Sequence, residues 1–535
     1  MTRFFPKPLR ATFFFLFTAV GAFYASATRF DFLNFDDPIY VTENPIVRQG
    51  ITLHGIRWAF TTHTLGHWHP ITWISHMLDV SMFGMDPGGH HLVSILWFSG
   101  CVVAVFLALL ELGIAIEAAL LGAVFFAFHP LRPESVVWVC ERKDVLSFFF
   151  GMASWLCFRY ERMRTAFVLF LASLAAKPTF VTLPLLLMMT DRHFGIRRPW
   201  RRYLPWILGS VASATLAIHT QRTDGAIQPL SLADRLSGAL VSLGAYARTF
   251  AWPFPTSIFH PRVDPRWEWT LLTAALIAFA ATWVIRKGSP LARFGGWWFL
   301  ITSLPLIGIV PIGGQAYADR WTLLPHVGLL IAATSFLRTT FAKGVAIALL
   351  CGFAWSTHRE LPHWRNSESI FRHALAADPD NFMAHTNLGA ALAAQRRFDE
   401  ADPHYRLALR DRPQYPQAQN NYGVLLARQG RCDQALAYFE RALSQDATLS
   451  SARFNLGQCR ETLGQAFAAL QEWLPLLAFR PEHPDLRRRL STVAPAGACD
   501  RADARRLRAW IEATPFSSPS DRDLGLETLD RVCTQ

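Results

Sequence analysis

Two apolar runs without a single charged residue, residues 11–28 and 92–110, flank the stretch FDFLNFDDPIYVTENPIVRQGITLHGIRWAFTTHTLGHWHPITWISHMLDVSMFGMDPGGHH. Each run is long enough to cross a hydrocarbon core of about 30 Å. A connection of this size between two spans is uncommon unless it carries function. Soon after the first run come two adjacent carboxylates, Asp36 and Asp37, followed by the cluster His67, Trp68, His69 and Pro70. An acidic pair held at a membrane surface suits a reaction between a lipid-borne substrate and a water-borne one.

The rest of the chain fits a polytopic membrane protein. Hydrophobic residues make up 51% and charged residues only 17%, too apolar a balance for an ordinary soluble protein. The net charge of +12 sits largely in short loops between apolar runs, where basic residues orient spans, so no nucleic-acid partner is expected. Arg3, Lys7 and Arg10 precede the first run, which is too long for a signal-peptide core and reads as a retained span with a cytoplasmic N-terminus. Further spans are expected at 92–110, 112–128, 145–158, 166–176, 179–190, 203–219, 269–285, 294–312, 321–336 and 344–355. The inner loops then hold the basic groups 159–164, 192–202, 286–293 and 338–343, and only the acidic stretch 111–117 breaks the pattern. Segment 236–247 is short and flanked by Arg235 and Arg248, and it reads as a re-entrant or interfacial helix. About eleven spans remain, all helical, which puts the C-terminal region outside.

After residue 357 the composition turns charged and Ala-rich. Asn387-Leu388-Gly389, Asn421-Tyr422-Gly423 and Asn455-Leu456-Gly457 recur every 34 residues (423 − 389 and 457 − 423). Ala401, Tyr405 and Ala408 follow the first, Ala435, Phe439 and Ala442 the second, and Ala469 and Trp473 the third. This spacing is that of tetratricopeptide (TPR) repeats, in which small residues let two helices approach and an aromatic fills the gap. The expected domains are therefore a membrane part over 1–357, TPR repeats over 358–480 and a helical cap over 481–535. Phe371, Ala374 and Pro379 fit the second helix of a partial leading unit. Such an array forms a superhelix whose groove holds peptide. Cys432, Cys459, Cys499 and Cys533 fall in this region, where an oxidising compartment permits a bridge such as Cys499–Cys533, although spacing alone does not fix the pairing.

Five groups of residues can carry chemistry. They are Asp36-Asp37; the loop His129, Arg132 and Glu134 with Glu141, Arg142 and Asp144; Lys177-Pro178; Asp319-Arg320; and His67–Pro70 with His76, Asp79, His90 and His91. Taken singly, each has a plain structural reading as a helix cap, an ion pair or an interfacial hydrogen bonder. On the topology above, all five lie on or near the outer face. Carboxylates that activate a hydroxyl and cations that hold an anionic phosphate are the two ingredients of glycosyl transfer from a lipid phosphate.

The motifs FDDPIYVTENP, WHPITWISHMLD, FGMDPGGHH, FHPLRPESVVWVCERKDVLS, AAKPTFVTLPLLLMMTD and ADRWTLLPHVGL, with WRNSESIFRHALAADPDNFMAHTNLG leading into the repeats, resemble the transmembrane-and-TPR (TMTC) O-mannosyltransferase family, and more closely its bacterial relatives. The resemblance runs from about residue 30 to 457. It implies an all-α, polytopic GT-C-type helical bundle with a C-terminal TPR superhelix, a polyprenyl-phosphate sugar donor and an inverting mechanism. It matches the family's first-loop acidic motif to Asp36-Asp37, and its next outer-loop elements to His129, Pro130, Glu134, Arg142 and Asp144.

The expectation is a membrane glycosyltransferase that moves mannose or another hexose to a hydroxyl acceptor, a protein or peptide held by the TPR groove. Asp36 or Asp37 serves as base. Arg320, Lys177 or Arg142 holds the departing phosphate, and His69, His129, Glu134 and Asp144 contact substrate. A divalent metal is compatible with this chemistry but not required by it. The expected location is a bacterial inner membrane, with the TPR domain extracytoplasmic. The alternative from another class is a non-catalytic, membrane-anchored TPR scaffold for envelope proteins. A transporter is disfavoured because the apolar segments show no internal duplication.

Overall fold

The structure is a computed structural model and describes residues 7–223, 227, 229–261, 267–311, 315–479, 485–493, 500–516 and 518–533. Among these, helices and short 3-10 turns dominate. The one sheet is a two-residue antiparallel pairing of His260–Pro261 with Gln315–Tyr317, in which His260 faces Tyr317. Two compact units divide the chain, residues 1–377 and 378–535.

In the first unit, helix Pro87–Glu111 is central. Its start is written locally: the Asp86 side chain accepts the Gly88 N–H at 3.2 Å, and Pro87 brings a helical φ without needing a donor. It stops at Leu112-Gly113, where Gly113 adopts a φ of +79°. Between those ends Ile95, Phe98, Val102, Val105 and Leu109 are buried. They lie among helices Lys7–Tyr24, Ile116–Ala127 and Arg142–Arg159. Helix Arg142–Arg159 packs in turn along helix Met163–Ala176. Helices Pro290–Ser303 and Pro325–Thr334 meet backbone to backbone, since a Cβ on Gly295 would strike the Gly328 carbonyl and one on Gly328 the Phe299 amide. Close approach through small residues is how helices associate where lipid removes the hydrophobic drive.

The count of eleven spans is not supported. Among the described residues, four helical stretches are long and apolar enough to cross a membrane: Leu9–Arg29, Pro87–Glu111, Thr270–Lys287 and Thr340–Arg365. Ile116–Ala127, Met163–Ala176 and Pro325–Thr334 are apolar but shorter. Proline accounts for several of the shortfalls, because it starts helices and interrupts those that precede it. The run expected at 179–190 begins as the 3-10 turn Pro178–Thr182 before helix Leu183–His193, and the run at 321–336 is α-helical only from Pro325 to Thr334. The segment expected at 236–247 lies within the 20-residue helix Leu232–Ala251, whose start is capped by the Ser231 hydroxyl on the Asp234 amide.

The second unit is built from helix pairs. Phe382–Ala394 packs on Phe398–Asp411, Pro416–Arg428 on Cys432–Gln445, and Ser450–Thr462 on Ala466–Phe479. The 34-residue period has a steric origin. Gly389, Gly423 and Gly457 each face the ring sixteen positions on, Tyr405, Phe439 and Trp473, so closely that a Cβ would overlap the ring at Gly423 and Gly457 and crowd it at Gly389. Ala401, Ala408, Ala435, Ala442 and Ala469 are buried at the same seams. Helices Arg501–Ala513 and Pro519–Cys533 close the last pair, with Ile511, Leu529 and Val532 packed into the cluster of Leu470, Trp473 and Leu477. A disulfide joins Cys432 to Cys459, linking neighbouring repeats. Cys499, one half of the Cys499–Cys533 bridge offered from sequence, lies outside the described residues.

Candidate active site

The two adjacent carboxylates differ in what they touch. Asp37 is buried, and its oxygens accept the backbone N–H groups of Leu33 at 2.8 Å and Cys140 at 2.9 Å. It therefore fastens the turn ahead of Pro38 to the loop 103 residues later. Asp36 does the opposite. Its backbone carbonyl accepts from Ile39 and Tyr40, but its carboxylate makes no side-chain hydrogen bond among the described residues. A carboxylate oxygen of Asp36 lies within 4.8 Å of one on Glu141. Burial raises the Asp36 carboxyl above its ordinary value, Glu141 adds to the rise, and Lys143, Arg320 and Lys177 oppose it. Burial also pushes Asp37 up, to about 7, against the lowering effect of its two amide donors.

Beside Asp36 lies a knot of ion pairs. Glu141 meets Lys143 at 3.0 Å, Lys177 at 3.3 Å and the Nε of Arg320 at 3.2 Å. Lys177 also reaches Asp144 at 2.6 Å. Arg320 pairs through Nη1 with Glu134, whose other oxygen accepts the Arg320 backbone N–H at 2.7 Å. Burial alone would raise Glu141, yet Lys143, Lys177 and Arg320 outweigh it and hold the carboxyl well below its usual range. Glu134 goes the other way, raised by burial to about 7 despite Arg320, and Asp144 is raised by burial to about 6 despite Lys177.

Helix geometry explains which members of the Glu-Arg-Lys-Asp run converge. Helix Arg142–Arg159 starts directly after Glu141. Residues three apart share a helical face while neighbours diverge. Glu141 and Asp144 accordingly turn together toward Lys177. Lys143 turns toward the Tyr40 ring, 4.5 Å from its centroid. Arg142 points elsewhere: it pairs with Asp79, donates to Ser94 at 3.0 Å and Ser75 at 3.1 Å, and donates to the His90 carbonyl at 2.6 Å.

The remaining expected residues divide in the same way. His69 is buried beside His67 with both ring nitrogens lacking a hydrogen-bond partner. Burial first, then His67, Lys143 and Lys177, hold it well below the usual histidine range, so it is neutral. His129 lies apart, between the rings of Phe125, His326 and Phe353, with the Phe250 carbonyl 3.3 Å from Nε2. Lys143 was not singled out from sequence, although it stands in the same Glu-Arg-Lys-Asp run. A charged residue one step from two others on a helix start was the signal available for it.

Among the described residues, three groups have the ligand atoms a cation needs. Asp36, Cys140 and Glu141 form one, but Lys143, Lys177 and Arg320 already surround Glu141. His76, Asp79 and His90 form a second, next to the Arg142 guanidinium. Glu360, His363 and His373 form the third.

Comparison with known proteins gives two kinds of match. Residues 380–446 and 423–484 fit models of the tetratricopeptide repeat. A protein O-mannosyl-transferase of Caenorhabditis elegans is 22% identical over 425 residues, covering 71% of this chain and 60% of its own. One from Drosophila melanogaster is 23% identical, covering 64% and 54%, and one from Homo sapiens is 24% identical, covering 70% and 52%. The chain resembles the TMTC protein O-mannosyl-transferases. It spans roughly half of the length of these relatives. A solved tetratricopeptide-repeat protein, YrrB, aligns over 36% of this chain and 91% of its own at 21% identity, with a TM-score of 0.23. The TMTC similarity and the repeats agree with a mainly helical chain that combines membrane-suited helices with a TPR array.

Proposed function

We propose that this chain is a membrane glycosyltransferase that moves a hexose, mannose by analogy with its relatives, from a polyprenyl-phosphate donor to a hydroxyl of a protein acceptor. The single observation that carries the reading is the placement of the Asp36 carboxylate against the Glu141 knot of Lys143, Lys177 and Arg320.

In this mechanism Asp36 takes the proton of the acceptor hydroxyl. The resulting oxygen attacks the anomeric carbon from the face opposite the phosphate. The bond between the anomeric carbon and the phosphate oxygen breaks, its electron pair leaves with the lipid phosphate, and the configuration inverts. The transition state has oxocarbenium character, as in glycoside hydrolysis. Lys143, Lys177 and Arg320 stabilise the charge that develops on the phosphate, an effect worth most in a water-poor site. Glu134 and Asp144, both raised toward neutrality by burial, release Arg320 and Lys177 to the phosphate when protonated. Asp37 holds the turn that presents Asp36. His69, neutral and unpartnered, is suited to a sugar hydroxyl, whereas Arg142 and His129 support the surrounding frame.

The site belongs on the extracytoplasmic face of a bacterial inner membrane in this reading, with the TPR array in the same compartment and its groove holding acceptor. The Cys432–Cys459 disulfide supports that side, since such bridges persist where the surroundings are oxidising. The deciding experiment incubates the purified chain with polyprenyl-phosphate mannose and envelope protein and follows hexose transfer by mass spectrometry. Transfer by the parent chain that is lost in Asp36→Asn supports the assignment. Equal transfer by both chains removes Asp36 from the mechanism.

A further inference from the structure

Helix Thr340–Glu360 ends in the 3-10 turn Leu361–Arg365, and helix Ser367–Ala377 follows at once. Leu361 and Trp364 are buried and anchor the turn. Asn366 accepts the Ser369 amide at 2.9 Å, and the Ser369 hydroxyl donates back to the His363 carbonyl at 2.9 Å. This local framework puts three metal-ligating side chains in one place: Glu360 from the first helix, His363 from the turn and His373 from the second helix. One ligand atom from each lies within 4.8 Å of the others.

The contacts within the group are close and directed. The Nε2 of His373 lies 2.8 Å from the Oε1 of Glu360. The two imidazoles are stacked, with centroids 4.0 Å apart and planes 14° from parallel. A fourth polar group comes from another part of the chain, where the Thr256 hydroxyl donates to Glu360 at 2.7 Å and lies 3.1 Å from His373 Nε2. The nearby guanidinium of Arg359 is turned to the Trp355 ring, 5.9 Å from its centroid. Glu360, His373 and Thr256 also line a cleft shared with Glu134, Asp319 and Ser257.

A simple Glu360–His373 ion pair accounts for only part of this arrangement. It involves His373 alone and gives no part to His363, which also offers a ligand atom within 4.8 Å of the other two. A shared cation would engage all three groups, and the stacked rings would swing out of parallel to do so, because each ring nitrogen's lone pair lies in its own ring plane. Two neutral imidazoles and one carboxylate are a common ligand set for zinc, with bond lengths of about 2.0–2.2 Å and ligand atoms that draw together around the ion. The nitrogen–oxygen choice also disfavours magnesium and calcium, which prefer oxygen ligands alone.

We infer that Glu360, His363 and His373 form a binding site for a divalent cation of the zinc class, with the Thr256 hydroxyl or water completing the shell. The ion ties the last long apolar helix of the first unit to the segment that carries Thr256 and forms part of the cleft wall. The inference does not depend on the transfer reaction proposed above.

The test uses the purified full-length chain in detergent, stripped with a chelator and titrated with zinc. Calorimetry and elemental analysis should find about one zinc per chain. The double variant His363→Ala/His373→Ala and the single variant Glu360→Gln should bind at least tenfold more weakly. X-ray absorption at the zinc edge of the parent chain should show two imidazoles with oxygen ligands, a readout that does not require any variant to fold. No binding by the parent chain, binding that persists unchanged in a folded double variant, or a metal shell without imidazole would each overturn the inference. Persistent binding would direct attention to the buried His76, Asp79 and His90 group instead.

Discussion

One carboxylate oxygen of Asp37 accepts the backbone N–H of Cys140 at 2.9 Å, which joins the first acidic turn to the loop that supplies Glu141. The other oxygen takes the Leu33 N–H. Replacing Asp37 with Ala strands two buried amide donors, and each unsatisfied buried group costs about 1–3 kcal/mol. Asp37→Ala should therefore lower the thermal midpoint of the first unit clearly, with activity falling as the turn loosens. A midpoint equal to the parent's would show that the latch is dispensable.

Asp36 should behave differently. Asp36→Asn keeps the shape of a side chain that makes no hydrogen bond among the described residues, so the thermal midpoint should stay near that of the parent. If the carboxylate is a general base, its loss should reduce the transfer rate by about 10² to 10⁴. The pH profile supplies a second check. A base works only when deprotonated, and burial raises the Asp36 carboxyl above its ordinary value of 3.8. The acid limb of kcat/KM should consequently lie above the usual carboxylate range and vanish from the residual activity of Asp36→Asn. An unchanged limb in that variant would assign it to another group.

Arg320 offers a test of coupling. It faces two buried carboxylates, Glu134 and Glu141, and removing one partner of such a pair costs about 3–5 kcal/mol because a charge is left uncompensated. Arg320→Met should be severely destabilised. Adding Glu134→Gln removes the carboxylate left stranded and should restore part of the stability, while Lys143 and Lys177 still serve Glu141. Transfer should not recover, since the phosphate has lost a cation. Strictly additive losses in the double-mutant cycle would deny the coupling.

How far the sequence could be read depended on whether the signal was local. The 34-residue period was legible because a glycine sixteen positions before an aromatic is a constraint within one helix pair, seen in Gly389 with Tyr405 and Gly423 with Phe439. The acidic pair and the basic residues near it were legible as candidates. Their division of labour was not, because Asp36 and Asp37 differ only through Leu33 and the distant Cys140. Likewise Arg142 and Lys143 are adjacent in the chain, and only the helix phase decides that one meets Asp79 and the other Glu141. The span count failed for a related reason. Apolar runs record avoidance of water, whereas helix length is set where Pro178 and Pro325 interrupt the backbone.

The disulfide of the second unit tests which side of the membrane that unit occupies. Cys432 begins helix Cys432–Gln445 and Cys459 lies in helix Ser450–Thr462, 27 residues on. Closing a loop of this size restricts the unfolded chain and typically adds about 2–4 kcal/mol. Purified Cys432→Ser should thus unfold at a lower temperature than the parent, and a reductant should lower the parent's midpoint toward that of the variant. In cells the bridge forms only if the unit faces an oxidising compartment. With the other cysteines replaced, Cys432 and Cys459 should resist thiol labelling in freshly lysed, denatured cells until a reductant is added. A reporter fused after Gln535 that is active only outside the cytoplasm should then also be active. Immediate labelling of both thiols together with an inactive reporter would place the repeats in the cytoplasm, and the proposal of an extracytoplasmic acceptor groove would fall with them.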